Sequence, residues 1–146
     1  MTKLSKNLRI GFLSLLSFAI VIAFPFWVDH GMDGRLAIRV ITAESANQSL
    51  ACMIGVAEVI RNRGGFQGFS VMKKDLHAFY HAQSIRAREQ ARMAWMLSRI
   101  TNLTQNSTHF ENVKDFGPPP WEAEMDKTVH MDDLQFYKRK PKKNKA

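Results

Sequence analysis

Between Ile10 and Val28 the chain runs for 19 residues without a charge, and this stretch decides how everything else is partitioned. At about 1.5 Å per residue it is long enough to cross most of a hydrocarbon layer of about 30 Å. Lys3, Lys6 and Arg9 precede it. By the positive-inside rule they hold residues 1–9 in the cytoplasm and send everything after Val28 outward. Ala23-Phe24-Pro25-Phe26-Trp27 has no small-x-small cleavage site, and Trp27 suits a membrane interface. Residues 10–28 therefore read as a single-pass inner-membrane anchor in preference to a cleaved signal. A linker follows over 29–34, with Gly31 and Gly34 as breakers, then one modest domain over 35–137 in the periplasm and a basic tail over 138–146.

The formal charge of +8 suggests nucleic acid until it is divided along the chain. Residues 1–9 hold three basic groups and residues 138–145 hold six, with no acid in either segment. That leaves 12 basic groups against all 13 acidic ones in the remainder. A DNA- or RNA-binding domain carries its positive stripe on the folded part, so nucleic acid is excluded as the expected partner. The basic tail reads as a solubilising segment, or as one attracted to anionic lipid or wall polymers. Cys52 is the one cysteine and has no Cys/His cluster around it, so neither an intrachain disulfide nor a metal or other cofactor is expected.

Within the domain, Leu36, Ala37, Val40 and Ile41 recur at helical spacing, and the next position on that face is Glu44. A carboxyl group in such surroundings resists ionisation, which is what a general acid near neutral pH requires. A second helix follows, capped by Asn47 or Ser49, with Leu50, Met53, Ile54, Ala57 and Ile60 in register and Gly64-Gly65 as its stop. Glu58 and Arg61 on that helix are spaced for a structural ion pair. Residues 66–81 show no clear period, and a third helix is expected over Ser84 to Ile100. After the rigid Gly117-Pro118-Pro119-Pro120 turn, Thr128-Val129-His130 and Gln135-Phe136-Tyr137 read as a small closing hairpin. The expected fold is mainly α with that hairpin.

Five motifs then line up in one order. They are Ala43-Glu44-Ser45-Ala46, Gly55-Val56-Ala57-Glu58-Val59-Ile60-Arg61-Asn62-Arg63, Thr108-His109-Phe110-Glu111-Asn112, Pro120-Trp121 and Gln135-Phe136-Tyr137-Lys138. In this order and spacing the chain resembles the cell-wall hydrolase family typified by the spore-cortex-lytic enzymes. The resemblance covers residues 36–138. It implies a compact domain similar to lysozyme and the lytic transglycosylases, acting on peptidoglycan glycan strands with Glu44 as the catalytic acid. It further implies that Phe79, Thr108, His109, Phe110, Trp121 and Tyr137 bind substrate. The chain departs from the family pattern in two places. A Gln-Phe-Ser-type segment has its counterpart in His77-Ala78-Phe79 or Gln67-Gly68-Phe69, and a Gly-x-His near the end is replaced by Asp132-Asp133-Leu134.

A single acid suits a lytic transglycosylase, which uses one group as acid and then as base. Ordinary glycoside hydrolysis needs a second carboxylate, about 5–5.5 Å or about 6.5–9.5 Å away according to stereochemistry, and Glu111 is the best candidate for it. Two alternatives stay open: a membrane-anchored module that binds peptidoglycan without cutting it, and a phage lysis or entry enzyme with the same chemistry.

Overall fold

The computed structural model describes residues 32–141. The segment expected to cross the membrane, and residues 142–146 of the tail, lie outside the described residues. Among the described residues, no helix is long and apolar enough to cross a membrane. The described part is mainly helical with one small sheet.

Helix α1 (Gly34–Ser45) starts where Asp33 accepts hydrogen bonds from the amides of Arg35 and Leu36 at 2.9 and 3.3 Å. Its buried stripe is Ala37, Val40 and Ile41, as the spacing predicts. Helix α2 (Leu50–Arg63) is capped by Ser49 and closes on Gly64, whose φ of +69° is the left-handed geometry that glycine adopts without penalty. Every residue from Cys52 to Ile60 is buried, so α2 is the central helix and not the half-exposed one its periodicity suggests. Helix α4 (Ile85–Leu97) and α1 flank it, with Ala87, Ala91, Ala94 and Trp95 of α4 buried against α1 and α2. Cys52 is part of this core, where burial pushes its thiol up to about 12.

Three features depart from the sequence reading. The stretch 66–81, expected to be irregular, contains a 3₁₀ turn (Ser70–Lys73) and helix α3 (Leu76–Ala82). Asp75 caps α3 by accepting from the amides of His77 and Ala78, a start signal lost among the aromatics around it. The hairpin is a three-stranded antiparallel sheet: β1 (His109–Asn112) pairs with β3 (Leu134–Arg139), which pairs with β2 (Met125–Met131). A short helix α5 (Val113–Phe116) and a 3₁₀ turn (Glu122–Glu124) connect β1 to β2. Finally, the basic tail begins later than its charge run indicates, because Lys138 and Arg139 complete β3 and Lys140 Nζ donates to the Ala123 carbonyl at 2.8 Å.

Asp132-Asp133, the departure from the family pattern, is the β2–β3 turn. Asp132 accepts the Ser49 amide at 2.7 Å, while Asp133 accepts from Gln48 at 3.1 Å and pairs with Lys114 at 3.0 Å. Two carboxylates thus sit at the N-terminus of α2, where the helix dipole favours negative charge. They fasten the hairpin to the α1–α2 corner.

Gly55 lets the sheet approach α2. A Cβ there would lie 2.7 Å from both Met131 Cε and Phe136 Cζ, and Phe136 is fully buried. Gly55→Ala is expected to lower stability by about 1–3 kcal/mol through overpacking, read as a fall in Tm. An unchanged Tm would mean that Phe136 moves aside freely.

Candidate active site

Glu44 is set in the last turn of α1, one position beyond the buried stripe. The chain folds back over it from three directions: the 3₁₀ turn bringing Val71 and Lys74, the end of α2 bringing Arg63, and β1 bringing Glu111. Removal from water raises the Glu44 carboxyl from 4.5 to about 7. The Val71 N–H and the charges of Lys74 and Arg63 oppose that rise, while the charge of Glu111 adds to it. Desolvation prevails because the ionic form loses more hydration than one amide and two cations restore. The group is therefore divided between acid and carboxylate near neutral pH.

Strand β1 is placed by α2. The buried Glu58 accepts four hydrogen bonds from the loop leading to the strand: Thr101 Oγ1 at 2.7 Å, the Leu103 amide at 2.9 Å, the Thr104 amide at 2.8 Å and Thr104 Oγ1 at 2.7 Å. One turn on, Asn62 donates to the Ser107 carbonyl at 2.8 Å, and Arg63 Nε donates to the Thr108 carbonyl. The expected Glu58–Arg61 ion pair gives way to this arrangement. Arg61 reaches instead to Ser98 Oγ at 2.8 Å and the Trp95 carbonyl at 3.0 Å, with its guanidinium 3.6 Å over the Trp95 ring.

A strand's side chains alternate between faces, so neighbouring residues of β1 serve different purposes. Phe110 points into the core, with its ring 5.8 Å from both Phe69 and Phe136. It is half-buried there. The expected substrate contact of Tyr137 is corrected: it is fully buried beneath Trp121, ring centroids 5.0 Å apart, and its hydroxyl donates to Glu122 at 3.1 Å. Burial and Glu122 together push that phenol up to about 12. Trp121 is half-buried and meets His109 at 5.5 Å. Phe79 is half-buried on α3, on the helix face of Leu76 and Tyr80.

Thr108 and His109 do reach an open hollow. Together with Arg63, Gln67, Gly68 and Arg139 they line a space of about 370 Å³. Thr108 Oγ1 lies 2.9 Å from His109 Nδ1. Burial, with Arg63 and Arg139 nearby, depresses the imidazole from 6.5 to about 4, so the ring is neutral at physiological pH. Among the described residues, no group of three or more His, Cys, Asp or Glu side chains is placed to hold a metal.

Comparison with protein-family models, with curated proteins and with solved structures yields no match. The site therefore has to be read from its own chemistry. Sequence reasoning brings Glu44, Glu111, Thr108 and His109 here and misses Arg63, the Val71 amide, Lys74 and Arg139. Arg63 reads as a helix-dipole partner before Gly64-Gly65, and Arg139 is hidden in the run of tail charges. The Val71 amide carries no side-chain signal at all.

Proposed function

We propose that this chain cleaves the glycan strands of peptidoglycan as a lytic transglycosylase, with Glu44 acting as both acid and base in a lysozyme-like domain. The observation that carries the reading is the half-buried setting of Glu44 where α1, α2, the 3₁₀ turn and β1 meet, which raises its carboxyl to about 7. A group required to give up a proton and then recover one works best at such a value. Protonated Glu44 donates to the glycosidic oxygen as the bond to the muramyl C1 breaks. The carboxylate then takes the proton of the muramyl C6 hydroxyl, whose oxygen closes on C1 to form a 1,6-anhydro ring. Glu44 ends the cycle protonated, and water is not consumed. An anchor over residues 10–28 would hold the domain on the periplasmic side of the inner membrane, facing the wall.

Glu111 supports a hydrolytic variant, because it lies close enough for its charge to act on Glu44. Digestion of purified sacculi by the full-length chain, followed by mass spectrometry, separates the readings. Muropeptides lighter by one water than the hydrolysed forms establish transglycosylation. Reducing ends establish hydrolysis with Glu111 as second carboxylate, and binding to sacculi without released fragments establishes a wall-binding module.

The acid form of Glu44 is lost as pH rises through about 7, so kcat/KM for soluble glycan fragments is expected to fall on the alkaline side with a midpoint there. A flat profile between about pH 6 and about pH 9 would remove Glu44 as the proton donor.

A further inference from the structure

The hollow reached by Thr108 and His109 presents mainly carbon surface, interrupted by a few polar groups. Arg63 and Arg139 bring two guanidinium groups, Gln67 an amide and Thr108 a hydroxyl, with a neutral imidazole from His109, and no acidic residue lines it. Like charges gathered around an open space repel one another, and each of the two arginines lowers the proton affinity of His109. Arg63 is fixed in place: its Nε is held by the Thr108 carbonyl, its Nη1 donates to the Gln67 carbonyl at 2.8 Å, and its guanidinium lies 4.8 Å over Phe69. Arg139 ends β3, exposed at the mouth of the hollow. Arg63, with Nε and Nη1 already engaged, contributes mainly its charge, and the exposed Arg139 adds a second cation to the same space of about 370 Å³, so the hollow suits an anion.

We infer that this hollow is a subsite for a carboxylate carried by the substrate, the acidic groups of the peptide stem on the muramyl sugar. The inference rests on the reading of the chain as a glycan-cleaving enzyme, for there the stem's free carboxylates hang from the same sugar whose C1 bond is cut. The stem would lie over Gly68 with a carboxylate between Arg63 and Arg139, while the sugar ring reaches Glu44. A neutral His109 favours this placement, since it offers a hydrogen bond without adding a third charge to be balanced. The subsite would make the enzyme prefer strands that still carry their peptides.

The test is binding of two soluble ligands to full-length Glu44→Gln protein by calorimetry, one a disaccharide with its peptide stem and the other the same disaccharide with no stem and its lactyl carboxyl capped as a primary amide, so that it carries no carboxylate. Inorganic phosphate and acetate serve as free-anion probes. The stem-bearing ligand is expected to bind about tenfold more tightly, and Arg139→Gln to erase that difference while leaving the stem-free affinity unchanged, as loss of one charge-assisted bond implies. Equal affinities, equal losses on Arg139→Gln, or no binding of either ligand would each overturn the subsite. Saturation by acetate or phosphate as tight as by the stem would show a general anion site and overturn it too. A stem preference that disappears in Arg139→Gln, in a chain whose wild type digests no sacculi, would retain the subsite and discard the cleavage reading.

Discussion

Glu44→Gln is expected to reduce wall digestion by about 10³-fold or more, the scale of losing a positioned proton donor, and to make the domain more stable above pH 7. The two effects share one cause. In the unfolded chain Glu44 ionises near 4.5, and in the folded protein near 7. Below about 4.5 both states are protonated and the group's contribution to stability is fully present. As pH rises through 4.5 the unfolded chain ionises while the buried group does not, and the contribution is lost progressively until about 7. The difference amounts to about 3 kcal/mol by the usual conversion. The substituted amide has no charge to desolvate, and its oxygen can still accept the Val71 N–H. Thermal melts at about pH 5 and about pH 8 check this: the variant should gain on wild type only at the higher pH. A variant that keeps its activity, or melts lower than wild type at the higher pH, would show that Glu44 supports the fold and is not the acid.

Glu58 should give the largest loss of stability. It lies buried in the central helix and receives four hydrogen bonds, so Glu58→Ala leaves two amides and the Thr104 hydroxyl facing a cavity, while the Thr101 hydroxyl keeps the Leu97 carbonyl at 3.0 Å. A loss of about 3–4 kcal/mol follows, mainly from stranded donors, and for a domain of this size it lowers Tm by roughly 10–20 °C. Glu58→Gln keeps the volume and turns an NH₂ toward a backbone N–H, so it should recover less than half of the loss. Near-complete rescue by Gln would mean that the cavity, not the donors, accounts for the effect. Because the same loop leads into β1, activity should fall in both variants even at temperatures where they remain folded.

What the sequence discloses divides along physical lines. Helices α1, α2 and α4 carry a local period and local caps, Asp33, Ser49, Gly64 and Ser84, so they can be read directly. The β2–β3 hairpin is legible for the same reason, its two strands being separated only by Asp132-Asp133. Strand β1 is not, because its partner β3 follows it at a distance and nothing in His109-Phe110-Glu111-Asn112 says so. The site shows the same division. Glu44 announces itself by its position on an apolar face, whereas the inward turn of Phe110 and the burial of Tyr137 depend on strand register. Glu58 looks like half of an ion pair because its spacing to Arg61 is local, while its actual partners lie in the loop 101–104.

The clasp that joins Glu58, Asn62 and Arg63 to residues 101–108 makes the acidity of Glu44 an outcome of assembly. Before α2 has captured that loop, neither β1 nor Glu111 is in place, and an unburied Glu44 is an ordinary carboxylate, ionised and unable to protonate anything at neutral pH. A newly made or partly unfolded copy would thus be chemically silent and would acquire its proton donor only on completing the fold. On the proposed reading, such self-timed latency would act as a safety catch, because the proton donor that attacks the wall forms only in the finished domain.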